Sequence, residues 1–104
     1  FEDGDEESIL SFCNKTVLKV YESLGKFEAE SETDKQNLEW RKMAIVEEGA
    51  RYEGEWDINT NQRNGFGIYV WPDGSIYEGD ILNNKTHGTG RLIHADGDVY
   101  IGEW

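Results

Sequence analysis

The second half of the chain contains three segments of similar sequence, and this repetition limits the folds that the chain can adopt. The segments are MAIVEEGARYEGEW (43–56), IYVWPDGSIYEGDI (68–81) and RLIHADGDVYIGEW (91–104). When they are aligned on their glycines, equivalent residues lie 25 residues apart in the first step and 23 in the second. A tandem repeat of this length indicates small units that contact mainly their neighbours and share one continuous core.

Each unit is predicted to form a strand, a tight turn and a second strand. Pro72-Asp73-Gly74 and Ala95-Asp96-Gly97 have the composition of turns, because glycine tolerates positive φ. Asn83-Asn84 is a second kind of turn, since asparagine also enters the left-handed region. Short runs of β-branched and aromatic residues lie between the turns. The sequence therefore predicts a mainly β fold of stacked hairpins.

Glycine and aromatic residues alternate within the predicted strands. Side chains alternate across a strand, so Tyr52, Gly54 and Trp56 are predicted to share one face. The glycine leaves a gap that a ring from a neighbouring strand or repeat can fill. We expect alanine at Gly54 or Gly79 to cost about 1–3 kcal/mol. The candidate structural positions of the repeat are Tyr52, Gly54, Trp56, Gly65, Gly67, Trp71, Gly74, Tyr77, Gly79, Gly88, Gly90, Gly97, Tyr100, Gly102 and Trp104.

Acidic residues recur on the opposite face of the predicted strands. They are Glu53, Glu55, Glu78, Asp80 and Glu103. Two interpretations remain open at this point. The acids form a solvated face that protects the sheet, or they form a docking surface for basic protein segments.

Residues 1–36 have a different character and form a predicted acidic extension ahead of a repeat domain at 37–104. An amphipathic helix is predicted over about 8–24, followed by a polar linker at 26–36. Ser8 can cap the start of this helix and Gly25 can end it. The helix either caps the open edge of the first repeat or docks on another protein. Its apolar stripe consists of Leu10, Cys13, Val17, Tyr21 and Leu24.

The charge of the chain excludes some classes of partner. The formal net charge is −12 over 104 residues. Nucleic acids and anionic membranes attract clusters of Lys and Arg, which this sequence lacks, so neither is an expected partner. Basic proteins would be attracted instead. The single cysteine allows no intramolecular disulfide, which favours an intracellular setting.

No combination of residues predicts catalysis or a bound cofactor. His87 and His94 have no cysteine or carboxylate to complete a metal site. The segment Asp96-Gly97-Asp98 is too short for a calcium loop and is explained by the turn. Cys13 has no nearby histidine to activate it, so we expect it in a core or an interface. We therefore predict no enzyme activity, no cofactor and no metal.

Several motifs resemble the MORN repeat (membrane occupation and recognition nexus). They are YEGEW (52–56), NGFG (64–67), WPDGSIYEGD (71–80), HGTG (87–90) and DGDVYIGEW (96–104). The resemblance covers residues 43–104, as a degenerate first unit at 43–56 and units at 57–81 and 82–104. The chain departs from the usual pattern at Ile81, where tryptophan is common, and at Asn84, where a turn glycine is common.

The resemblance implies a ribbon of stacked hairpins that serves as a non-catalytic scaffold, spacer or docking module. Proteins with similar repeats include junctional membrane proteins, lipid kinases, ciliary and cytoskeletal scaffolds, and a lysine methyltransferase. We therefore expect a structural subunit of a larger cytoskeletal or ciliary assembly in the cytoplasm. A lipid-headgroup module and a regulatory part of a larger enzyme are the alternatives.

The last predicted strand, from Asp98 to Trp104, has an unpaired edge with exposed rings. Such an edge is a template for strand addition by a partner, a second copy or a continuation of the chain. The isolated chain is therefore expected to self-associate at micromolar concentration.

Overall fold

Six antiparallel strands form one open sheet in the computed structural model, which describes residues 8–28 and 36–104. The strands pair in chain order, so that each forms a hairpin with the next. The predicted mainly β fold of stacked hairpins, with a helix ahead of them, is confirmed. The strands are β1 (Leu38–Ile45), β2 (Arg51–Asp57), β3 (Arg63–Val70), β4 (Ile76–Leu82), β5 (Lys85–Ile93) and β6 (Val99–Glu103).

The turns between the strands follow from their residue types. Gly74 and Gly97 close two equivalent turns at φ of 91° and 99°, a region that other residues enter only with strain. Asn83 and Asn84 join β4 to β5 with φ of 50° and 72°. Two successive positive φ values are typical of a type I′ turn, whose twist matches that of the strands.

The strand register aligns the repeats in two adjacent rows. One row runs across β2 to β6 through Tyr52, Tyr69, Tyr77, Leu92 and Tyr100. The next row consists of Gly54, Gly67, Gly79, Gly90 and Gly102. The three tyrosines that align in the sequence therefore occupy equivalent positions in the sheet.

The two faces of the sheet bury different clusters. We call the side that carries Tyr52, Tyr69 and Tyr77 the tyrosine face, where these rings pack with Ala50 and Ile81. We call the other side the helix face. There, the N-terminal segment contributes Ile9 and Val17 to a cluster whose sheet residues are Val70, Ile76 and Ile93.

The N-terminal segment is not the single helix that was predicted over 8–24. A 3-10 turn at Ile9–Phe12 is followed by helix α1 at Lys15–Leu24. The break occurs because the Asn14 side chain accepts a hydrogen bond from the Val17 N–H at 2.7 Å and caps a new helix. Gly25 ends the helix as expected, at φ of 81°.

The N-terminal segment folds back, but it covers the helix face and not the edge of the first hairpin. Asn14 anchors it to both of the equivalent turns. Its backbone N–H donates to the carbonyl of Gly74 at 3.3 Å. Its side-chain nitrogen donates to the carbonyls of Asp73 at 3.2 Å and Ala95 at 2.9 Å. The acidic residues 1–7 and linker residues 29–35 lie outside the described residues.

Candidate interaction surface

Each repeat contains the same hydrogen bond from its tyrosine. The hydroxyl of Tyr52 donates to the carbonyl of Glu55 at 2.8 Å, and that of Tyr77 donates to the carbonyl of Asp80 at 2.9 Å. The third tyrosine, Tyr100, donates in the same way three residues along the chain, at 3.3 Å. This bond orients each ring along its own strand and places it over the row of glycines, which we call the glycine row (Gly54, Gly67, Gly79, Gly90 and Gly102).

The glycines are required because a tyrosine ring occupies the space of a side chain. A Cβ added at Gly67 would overlap the ring of Tyr52, and one at Gly90 would overlap that of Tyr77. A Cβ at Gly54 would lie 2.5 Å from the Cα of Gly67. The ring therefore covers a pair of glycines, one on its own strand and one on the next, which are themselves in close backbone contact.

Two of the repeat acids bond to the neighbouring strand. A carboxylate oxygen of Glu55 accepts from the N–H of Phe66 at 2.8 Å. The equivalent oxygen of Asp80 lies 3.4 Å from the N–H of Thr89. Both acids lie where the register shifts between paired strands. These acids stabilise the irregular step that follows each glycine pair.

The predicted acidic stripe therefore needs correction. Asp80 is buried, and so is Glu78, which forms an ion pair with Arg91 at 2.7 Å beneath the N-terminal segment. Burial raises the pKa of the Glu78 carboxyl. The alternation of side chains along the strand correctly predicted which face of the sheet Glu78 occupies. It could not show that the N-terminal segment covers that face. Of the predicted partner-binding acids, Glu53 and Glu55 keep partial exposure, and a binding role for these two stays a prediction.

Arg63 is a structural residue of the tyrosine face that the sequence analysis missed. It is buried and donates two hydrogen bonds to the carboxylate of Glu47, at 2.5 and 2.7 Å. Its guanidinium lies over the rings of Tyr52 and Tyr69. Hydrogen bonds from Arg63 lower the pKa of Glu47, whereas burial raises the pKa of Tyr69 to about 12. Arg63 is the single base in the repeat unit at 57–81, and that was the available signal.

The outer strand β6 differs from the interior strands in exposure. Tyr52 and Tyr77 are fully buried, but 47% of Tyr100 and 40% of Trp104 are exposed. Val99 and Ile101 are 41% and 57% exposed on the other side of the strand. In the part of the chain that the structure describes, β6 pairs only with β5. An apolar edge strand of this kind is a surface for strand addition.

The repeat geometry agrees with the comparison with known proteins. The family model of the MORN repeat matches this chain at residues 52–76 and again at residues 77–99. The chain is a MORN-repeat protein. Each match begins at a buried tyrosine, Tyr52 or Tyr77, five residues before the starts of the predicted units at 57–81 and 82–104. No curated protein matches the chain. MORN repeats are generally interaction modules for proteins or membranes and are generally non-catalytic.

The apolar stripe of the N-terminal segment packs against the MORN sheet. Val17 is fully buried in the helix-face cluster, and Leu10, Cys13 and Tyr21 pack against that cluster. Only Leu24 at the end of the helix is largely exposed. Burial raises the pKa of the Cys13 thiol to about 11, which keeps it neutral at physiological pH. In this conformation, the stripe is occupied by the chain's own sheet.

The described residues offer neither a metal site nor a membrane span. No three His, Cys, Asp or Glu side chains within 8–28 and 36–104 are arranged to hold a metal ion. Among the same residues, no helix has the length and apolarity needed to cross a membrane.

Proposed function

We propose that this MORN-repeat protein is a non-catalytic module that binds other proteins and serves as a structural part of a larger assembly. The two MORN repeats carry the proposal, because such repeats are generally interaction modules. Interior strands bury Tyr52, Tyr69 and Tyr77, whereas Tyr100 and Trp104 are exposed to solvent beside an edge that is unpaired within the described residues. A partner strand would gain backbone hydrogen bonds and apolar contacts at the same place.

The N-terminal segment supports this assignment of the binding edge. It covers the helix face over β3, β4 and β5, where its buried residues satisfy the apolar positions of the sheet. Exposed apolar side chains remain on both edge strands, at Trp40 and Ile45 of β1 and at Tyr100 and Ile101 of β6. Of the two edges, β6 is the one that continues the row of tyrosines. The net charge of −12 favours partners with basic segments near that edge.

An intracellular setting, in a cytoskeletal or ciliary assembly, is part of the proposal. The resemblance to MORN scaffolds and the presence of a single cysteine support it. The same edge would cause weak association between copies of the isolated chain at micromolar concentration.

The test compares two lysine substitutions at similarly exposed isoleucines. Ile101→Lys places a charge on β6, and natural edge strands use lysine to prevent pairing. Ile58→Lys makes the same change in the turn after β2, where 52% of the side chain is exposed. Sedimentation should show self-association of the wild type and of Ile58→Lys, and a monomer for Ile101→Lys. Partner capture should be lost only with Ile101→Lys. Equal association and equal capture by all three chains would contradict the proposal.

A further inference from the structure

Each arginine of the chain lies against an aromatic ring. The sequence contains four arginines, and all four belong to the described residues. The contacts are Arg41 over Trp56, Arg51 over Phe12, Arg63 over Tyr52, Trp56 and Tyr69, and Arg91 over Tyr21 and Phe27. A cation in such a position is attracted by the negative face of the ring. The fold therefore uses arginine repeatedly as a partner of aromatic side chains.

On the tyrosine face, this contact has a third component, which is a glutamate. Arg41 lies over Trp56, with 4.8 Å from the guanidinium carbon to the ring centroid, and pairs with Glu39 at 2.6 Å. Arg63 lies over the tyrosine rings of the same face and donates two hydrogen bonds to Glu47. A planar guanidinium can stack on a ring and bond to a carboxylate at the same time. We call this combination an arginine-ring-glutamate site.

A further ring on the tyrosine face, Trp71, lacks such an arginine. It packs against the tyrosine-face cluster and stacks on Tyr69, with ring centroids 5.5 Å apart and an angle of 17° between the ring planes. Among the described residues, which include all four arginines, no arginine lies over Trp71. The side chain of Trp71 is half-buried, so part of the ring is open to solvent.

Trp71 and Tyr69 line an open cleft of about 650 Å³. Glu48 lines the same cleft and comes from the turn between β1 and β2. Lys85 lines it as well, but it begins β5 and so lies on the opposite side of β3 from Glu48. A cation that enters the cleft is attracted by Glu48 and repelled by Lys85. The charges therefore favour a cation on the side of Glu48.

Glu48 is the second carboxylate at this cleft. The neighbouring Glu47 already accepts two hydrogen bonds from Arg63, whereas Glu48 follows it in the chain and is exposed. The cleft thus contains two components of an arginine-ring-glutamate site, which are the ring of Trp71 and the carboxylate of Glu48. The third component, the arginine, has to come from outside this sequence.

Resting on the proposed function, we propose that the cleft binds an arginine side chain in a basic segment of another protein. The guanidinium lies over Trp71 and donates hydrogen bonds to the carboxylate of Glu48. Arginine is preferred to lysine, because an ammonium group cannot stack on the ring while it bonds to a carboxylate in the fork geometry. The net charge of −12 attracts such a segment.

Two other sources of arginine fit the cleft less well. A second copy of this chain has the same four arginines, each of which already lies against a ring of its own chain. Further strands after β6 would extend the sheet away from the cleft, since repeats contact mainly their neighbours. Trp71 follows β3, and two strands separate β3 from β6.

The experiment uses a short peptide with one arginine as the probe. The peptide GGRGG, with both ends blocked, is titrated into the full chain and followed by NMR shifts of the amides and of the tryptophan indole N–H groups. The control peptide carries citrulline, which has the shape of arginine without its charge. We expect shifts at the indole of Trp71 and at the amide of Glu48. Binding of the citrulline peptide should be about fivefold weaker, since it lacks both the ring attraction and the ion pair.

Variant chains test the two components of the site. Trp71→Leu should abolish the preference for arginine over citrulline, and the dispersion of its spectrum shows whether it folds. Glu48→Gln changes an exposed side chain and should reduce that preference severalfold without loss of fold. Asp96→Asn is the matched change at the aligned acid of the third segment, outside the cleft, and should bind like the wild type.

Three results would overturn the proposal. They are equal binding of the two peptides to the wild type, shifts centred away from Trp71, and a Glu48→Gln chain that keeps the full preference for arginine. Absence of any binding to the wild type would overturn it as well.

The cleft and the proposed function fail in different ways. If Ile101→Lys abolishes protein capture while the wild type does not bind the arginine peptide, the chain is an interaction module and the arginine site is wrong. If the wild type binds the arginine peptide at Trp71 but captures no protein, the cleft recognises arginine and the proposed function is wrong.

Discussion

A buried ion pair in this small sheet also joins elements that are distant in sequence. Arg91 and Glu78 pair between β5 and β4 and also hold the end of the N-terminal segment. Arg91 donates to the carbonyl of Gly25 at 2.6 Å, and Glu78 accepts from the N–H of Phe27 at 3.3 Å. Both side chains are almost completely buried. Removal of one partner would leave the other charge unpaired in the core.

Arg91→Met should therefore destabilise the chain strongly. Leaving a buried charge without its partner costs about 3–5 kcal/mol, which is a large part of the stability of a small domain. Urea unfolding measures the loss. The double variant Glu78→Leu/Arg91→Met should recover most of it, because an apolar pair carries no buried charge. A double variant that is less stable than the single one would contradict this account of the pair.

The Glu47 carboxylate should contribute to the pH dependence of stability. Hydrogen bonds from Arg63 lower its pKa in the folded state, whereas an unfolded glutamate titrates at about 4.3. The folded state then binds fewer protons, so the stabilisation is present above the ordinary pKa and is lost as pH falls through the lowered one. Glu47→Gln should be less stable than the wild type at pH 7, and the two should converge in acid. Glu48→Gln is the matched change at the neighbouring exposed glutamate, and it should cost less stability at pH 7 than Glu47→Gln.

At the level of elements, the N-terminal segment acts as a cover for the helix face. Asn14 bonds to the turns of two successive hairpins, and Val17 fills the apolar cluster between the helix and the strands. The repeats supply similar turns at a regular spacing, so one asparagine can hold both. The N-terminal segment is therefore anchored in this way because the sheet contains the same turn twice.

Val17→Ala should cost about 1–2 kcal/mol, since it removes two buried methyl groups at roughly 0.8 kcal/mol each. Val99→Ala is the matched change on β6, where the side chain is largely exposed, and it should cost clearly less. Thermal or urea unfolding of both variants provides the comparison. An equal loss of stability would show that the helix face is not part of the folded core.

The repeat pattern predicted the strands and turns because their signals are local. Asp-Gly and Asn-Asn turns, glycines and aromatic residues each act within a few residues of the chain. The break at Asn14 was missed, because a stripe of apolar residues continues through a 3-10 turn. The burial of Glu78 and Asp80 was missed for a different reason. It depends on the N-terminal segment and on register shifts between strands, which alternation within one strand does not reveal.

At the scale of the whole molecule, two rows hold the sheet together from β2 to β6. The rings of Tyr52 and Tyr77 lean over the glycine row, and each of these two rings spans two strands. The interior repeats are therefore joined by the same contact between a tyrosine ring and a pair of glycines. The stability of the sheet therefore has its physical origin in this contact.

A double-mutant cycle between Gly67→Ala and Tyr52→Leu tests this origin most directly. Leucine lacks the ring atoms that an added Cβ at residue 67 would meet. In the wild-type background, Gly67→Ala should cost about 1–3 kcal/mol in urea unfolding. In the Tyr52→Leu background, the same change should cost close to nothing, which gives a coupling energy of about 1–3 kcal/mol. The same cost in both backgrounds would contradict the account.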